Sequence, residues 1–225
     1  MRYFITLWRL FPSVETISSG SALSGLERSD IIFSAILLPI LTMKSFSEEK
    51  KMRTEQLLLT APVSLWGMVL GKFLAAFTLF LGTVLVSCIN FFPLYAIATV
   101  ERNGSYSTTH IGPATSEIVG RTIGLILIGA AFIAIGLFIS ALSENQLSAA
   151  VITIAVLACT IVLSLANQYI NTYSIRFVLD WICIFSRFAN FSYGMFDWSA
   201  LLYYISITSV FLFLTVRVYD RRRWN

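Results

Sequence analysis

The chain has 225 residues, of which 57% are hydrophobic and only 12% charged, with a net charge of +4. Ordinary soluble domains carry about 25% charged residues, and a single soluble core could not hide this much apolar surface. Disorder is excluded as well, since it requires low hydrophobicity and high charge. The composition predicts an all-α, polytopic membrane bundle of about five spans, because lipid leaves no backbone polar group unpaired and the sequence lacks barrel-like alternation.

Residues 1–30 read as an exterior or interfacial stub. Met1–Phe11 is apolar and aromatic but too short to cross, and Pro12 ends it. Trp8 and Phe11 suit the headgroup level. Ser13–Asp30 is rich in Ser and Gly and reads as a loop. The first expected span covers residues 30–46, around the charge-free run Ile31–Met43.

A polar segment follows, residues 47–64. Ser47 is placed to cap a short helix over residues 48–62, with Glu48 and Glu49 in its first turn to suit the helix dipole. Glu49 and Arg53 stand at i,i+4 and can pair. Met52, Gln56 and Leu59 would share a face. Pro62 biases Ala61 away from helix, and Ser64 can cap the next element. One end of this short helix is charged and the other, Leu57, Leu58 and Leu59, is apolar.

Four longer charge-free runs follow: Phe73–Val100, Thr122–Ser143, Asn145–Ile175 and Trp198–Val216. Each can supply the roughly 20 residues that a crossing needs. The expected spans are 66–98, 118–142, 146–170 and 197–217. In the third expected span, 118–142, Gly129, Ala130, Ala131, Ala134 and Gly136 are small residues suited to helix packing, and Gly120 and Gly124 form a GxxxG pair. The connection Ser143–Gln146 is a tight turn. The loop Thr99–Glu117 is polar and turn-rich. The segment Asn171–Asp197 is aromatic, with Phe177, Trp181, Phe185 and Phe188 at helical spacing, and predicts a short interfacial helix.

Charge sets the orientation. Lys44, Lys50, Lys51, Arg53, Lys72, Arg217, Arg221, Arg222 and Arg223 fall on one side; Arg102, Arg121, Arg176 and Arg187 fall on the other. The first side is expected to be cytoplasmic, with the C-terminus inside. No clustered basic face carries stacking aromatics, so no nucleic acid is expected as partner. Cys88, Cys159 and Cys183 have no paired spacing, and His110 has no metal-ligand companions, so no metal site is expected. Gly67–Phe73 lacks the spacing and the Ser/Thr of a phosphate-binding loop. The spans hold no charged or nucleophilic constellation, and no catalytic residue is assigned. On the residues alone three readings stay open: a docking helix for a soluble partner, a structural membrane subunit, and an intramembrane enzyme.

The stretch Pro39–Phe73 (PILTMKSFSEEKKMRTEQLLLTAPVSLWGMVLGKF) resembles the signature region of ABC-2 type transporter permeases. It is most similar to the subgroup named for gliding motility and nitrous-oxide-reductase maturation. The matching positions are Pro39, Leu41 to Lys44, Glu48 to Lys50, Thr54 to Val63 and Gly71 to Phe73, with Gln56 departing from the pattern. Ala131–Gln146 and Phe211–Trp224 are similar to further stretches of that family. The resemblance covers Ile31 to the end.

It implies a permease subunit, of an exporter, in the bacterial inner membrane, surrounded by lipid and paired with a second permease chain, identical or related. A separate ABC ATPase would carry ATP and magnesium, and this chain would bind no cofactor of its own. The ATPase would grip the 48–62 helix, a coupling helix, through Glu48, Glu49, Arg53, Glu55, Leu57, Leu58, Leu59 and Pro62, with Glu144 in the inner turn as a second contact. The family has six spans, so the resemblance also implies a span before Ile31; the matching alternative is a truncated, non-transporting remnant. Substrate residues are not readable. The charge-free spans suggest lipid-like, peptide or other hydrophobic cargo.

Overall fold

The computed structural model describes residues 38–39, 41–43, 45–47, 49, 52, 64–89, 115–167, 184, 187–188, 191 and 196–224. Among them there is no strand. Four long helices dominate: α1 (Leu65–Cys88), α2 (Thr115–Leu142), α3 (Gln146–Asn167) and α4 (Trp198–Trp224). All four are long and apolar enough to cross a membrane. At a rise of about 1.5 Å per residue, each exceeds the roughly 30 Å hydrocarbon layer.

Local chemistry explains the helix ends. Ser64 caps α1 as its position predicts: its hydroxyl accepts the Gly67 N–H at 3.3 Å. The helix stops at Cys88, with the Ile89 N–H bonded back to the Val86 carbonyl at 3.2 Å. The expected span runs on to residue 98, and residues 90–98 lie outside the described residues. Asp197 begins α4, its carboxylate accepting the Ser199 N–H at 2.9 Å. That helix continues past the expected end at 217 to Trp224. Arg221, Arg222 and Arg223 in its last turn complement the negative end of the helix dipole. Arg217 and Asp220 add an i,i+3 pair at 3.5 Å.

The bundle is organised around α2. In its membrane-crossing window 67% of residues are buried, against 17% in α3, so α2 is central and α3 peripheral. α2 packs on the other three helices, and α1 also meets α4. α1 turns Val69, Ala76, Phe80 and Val84 inward, and α4 turns Ala200, Tyr204, Leu212, Val216 and Tyr219 inward. Those spacings keep each set on one face.

The small residues of α2 are packing sites, as expected. Gly129 lies under the Phe80 ring and Gly136 under the Thr42 side chain, and a Cβ at either would collide. Gly124 lies under Phe188 and Phe191, where a Cβ would come within 3.0 Å of both. Ala131 and Ala134 are fully buried beside them. Several polar side chains inside the spans bond to their own helix: Thr153 donates to the Ala149 carbonyl at 2.7 Å and Thr215 to that of Phe211 at 2.8 Å. Such local bonds make hydroxyls tolerable in an apolar setting.

Of the first expected span, 30–46, the described residues are helical. The aromatic segment places Ile184, Phe188 and Phe191 in the core. Phe177, Trp181 and Phe185 lie outside the described residues.

Candidate functional site

The polar features of the bundle converge where the helical residues within 38–49 meet α1, α2 and α4. Three side chains organise this joint: Ser140, Lys72 and Phe46.

Ser140, on α2, is fully buried. Its hydroxyl accepts the backbone N–H groups of Phe46 and Ser47, each at 3.2 Å, and donates to the Met43 carbonyl at 3.3 Å. A serine hydroxyl has one donor and two acceptor sites, so all three are used. The bonds join positions distant in sequence and pin one short stretch of backbone to the centre of the bundle. One turn earlier, Gly136 lets Thr42 approach α2 closely, while the Thr42 hydroxyl donates to the Leu38 carbonyl at 2.9 Å.

Lys72, about two turns into α1, reaches across to the same segment. Its ammonium lies 2.5 Å from the Glu49 carboxylate and donates to the Ser45 carbonyl at 2.5 Å. It also sits over the Phe46 ring, 4.0 Å from the centroid. The two charged side chains are only 19% and 31% exposed, so the pair is screened less than a surface ion pair. Phe46 itself is fully buried and meets the ring of Tyr219 at 5.0 Å. Arg222 lies over Tyr219, 5.8 Å from its centroid. One lysine, one phenylalanine and one tyrosine thus link α1, the 38–49 segment and the end of α4.

Ser47 departs from its expected role. It does not cap a helix: it is itself helical and buried, and its hydroxyl bonds back to the Met43 carbonyl. The described residues on both sides of it, 45–46 and 49, are helical, so no helix begins there to be capped. Glu49 is helical and bonded to Lys72; Arg53, its expected i,i+4 partner, lies outside the described residues. Met52 lies in a turn and is exposed.

Glu48, Arg53, Glu55, Leu57, Leu58, Leu59 and Pro62 lie outside the described residues. Glu144 is exposed in the turn between α2 and α3. That turn is tight: the Ser143 N–H bonds to the Ile139 carbonyl at 3.0 Å, and the Asn145 carbonyl accepts the Ala149 N–H at 3.0 Å and the Ser148 hydroxyl at 2.8 Å. Gly67–Phe73 is helical throughout and so offers no phosphate-cradling loop.

Sequence reasoning missed Ser140 and Lys72. Lys72 is the only charge between residues 65 and 100, a signal that something at its level must receive an ammonium. Ser140 gives no comparable signal, because a serine in an apolar helix is usually satisfied by its own backbone. Among the described residues no group of three His, Cys, Asp or Glu side chains could hold a metal ion. The chain matches no protein-family model and no curated protein.

Proposed function

We propose that this chain is the transmembrane permease subunit of an ABC transporter, an exporter of the ABC-2 type, working with a separate ATPase that docks on residues 48–62. The reading begins from the resemblance of Pro39–Phe73 to the signature region of those permeases. The observation that carries it further is the Lys72–Glu49 ion pair at 2.5 Å. Glu49 precedes residues 50–63 and Lys72 follows them, so the pair ties together the two chain ends that bracket the proposed docking segment.

A coupling element needs this arrangement. A push on residues 50–63 reaches α1 through Lys72, α2 through Ser140 and α4 through the Phe46–Tyr219 contact. A segment anchored to one helix alone would move only that helix. In this reading Glu49 stiffens the base of the segment, while Glu48, Arg53 and Glu55 steer the ATPase and Leu57, Leu58 and Leu59 pack into it. Glu144 presents a second contact in the α2–α3 turn. ATP and magnesium bind to the ATPase, and the permease acts beside a second copy or a related chain. The Lys72 end faces the cytoplasm of a bacterial inner membrane.

Co-purification tests the proposal. The tagged chain is extracted from its native membrane in mild detergent beside a Leu58→Asp variant. The expected result is a soluble ATPase with the wild type and at least tenfold less of it with the variant. A folded wild-type chain that brings down no ATPase contradicts the proposal and favours a structural subunit.

A further inference from the structure

Arg187 is a cation that no described carboxylate pairs. Its Nε is buried and has no hydrogen-bond partner among the described residues. The guanidinium instead lies over the Tyr203 ring, 5.2 Å from its centroid. A guanidinium stays ionised at any physiological pH, so this group cannot escape its surroundings by losing its proton. It calls for an anion that the described residues do not supply.

The level of the site narrows what that anion is. Tyr203 lies five residues into α4, roughly 8 Å below the helix start. Trp198 and Phe196 at that start are largely exposed and stack edge to face, 5.2 Å apart. Exposed aromatic rings at a span end mark the membrane–water interface. Arg187 therefore sits just beneath the aromatic belt, within a side chain's reach of the phospholipid headgroups at that level.

The surface beside it suits the rest of a lipid. Tyr203 meets Tyr204 edge to face at 5.7 Å, and the Tyr204 hydroxyl donates to the Ile184 carbonyl at 2.6 Å. The Tyr204 ring also lines a groove of about 260 Å³ between α1, α2 and α4, with Phe73, Leu127, Ala130, Ile205 and Leu212. Thr208 and Ser209 border this groove, but their hydroxyls donate to the carbonyls of Tyr204 and Ile205, so its wall is effectively hydrocarbon. From Tyr204 to Leu212 the groove follows about 12 Å of helix.

We propose that Arg187, with Tyr203 and the groove that begins at Tyr204, binds one anionic phospholipid: the phosphodiester meets the outer end of the guanidinium through its two Nη groups, and an acyl chain lies along α4. A bidentate arginine–phosphate contact supplies the counter-charge that no described carboxylate gives this side chain. The site does not depend on the transporter reading and stands if that reading falls.

The full chain is reconstituted in phosphatidylcholine vesicles containing traces of spin-labelled phosphatidylglycerol or spin-labelled phosphatidylcholine, and the motionally restricted fraction of each label is measured. The wild type is expected to prefer phosphatidylglycerol about three- to fivefold, the scale of one ion pair at a wet interface. Arg187→Gln abolishes the preference. Arg187→Lys, which keeps the charge without the fork, gives an intermediate value and carries the test if the glutamine variant does not accumulate. Arg221→Gln, at the opposite end of α4, leaves the preference intact. Equal restriction of both labels by the wild type, or a preference unchanged in Arg187→Gln, overturns the proposal. So does loss of the preference in inorganic phosphate but not in sodium chloride of equal ionic strength, which marks a free-anion site.

Discussion

The Lys72 ammonium and the Glu49 carboxylate meet at 2.5 Å from opposite sides of the segment that resembles a coupling region. The contact is half-buried and shared with the Ser45 carbonyl and the Phe46 ring. Partial burial puts its worth between that of an exposed pair and a fully buried one, about 1–3 kcal/mol. A double-mutant cycle with Lys72→Met and Glu49→Gln, read as unfolding free energy in micelles, is expected to give a coupling energy in that range. Additive single effects would mean that the pair contributes nothing beyond its separate parts.

Ser140 makes a different prediction because its partners are backbone groups. In Ser140→Ala the acceptor of two buried N–H groups disappears, and a methyl-sized side chain cannot replace it. The expected cost is about 1–3 kcal/mol, the penalty for unsatisfied buried donors. Amide exchange at Phe46 and Ser47 should accelerate while exchange in the middle of α1 stays unchanged. Uniform acceleration would mean that the whole bundle is destabilised instead of the joint.

Two glycines should respond in opposite ways. Gly129→Val forces a side chain against the Phe80 ring, and overpacking of this kind costs about 1–3 kcal/mol. Adding Phe80→Ala to that variant should restore part of the loss. Gly71 has open space where a Cβ would stand, so Gly71→Ala is expected to stabilise α1 by about 0.5–1 kcal/mol through helix propensity. Thermal melts of the purified variants decide both; a destabilised Gly71→Ala would point to a contact that this bundle does not contain.

Tyr204→Phe isolates a single bond at the other end of the bundle. The hydroxyl is buried and donates to the Ile184 carbonyl at 2.6 Å, tying the aromatic segment to α4. Its loss is expected to cost about 1–2 kcal/mol and to raise protease cleavage within residues 177–196. Unchanged cleavage would mean that Phe188 and Phe191, packed on Gly124, hold that segment without help.

Four of the five expected spans were legible as long apolar helices because their signal is coarse. Runs such as Thr122–Ser143 are free of charge over a full crossing length, and no local competition obscures that pattern. Ser64 was legible as a cap because its role depends on neighbours in sequence. The joint was not. Ser47 has the local look of a helix cap, but the described residues on both sides of it are helical and Ser140, far along the chain, accepts its N–H. Glu49 has an expected partner at i,i+4 in Arg53, which lies outside the described residues, and α1 offers it Lys72 as well. In each case a partner distant in sequence takes part, and spacing along the chain cannot reveal that. At the end of α4 the helix runs on past the charge that marks the expected span end: charge ends a span but does not end a helix, and Arg221–Arg223 favour continuing it.

In the proposed coupling, residues 48–62 are gripped by an ATPase and the joint at Ser140 and Lys72 carries the grip into the bundle. Photocrosslinking from position 58 tests it most directly. A photoreactive amino acid replaces Leu58 in the full-length chain, the native membranes are irradiated, and crosslinked partners are identified by mass spectrometry. The account predicts one dominant adduct, to a nucleotide-binding ATPase, that weakens when Lys72 is replaced by Met. Adducts only to lipid or to other membrane chains, with the protein folded and inserted, would contradict it.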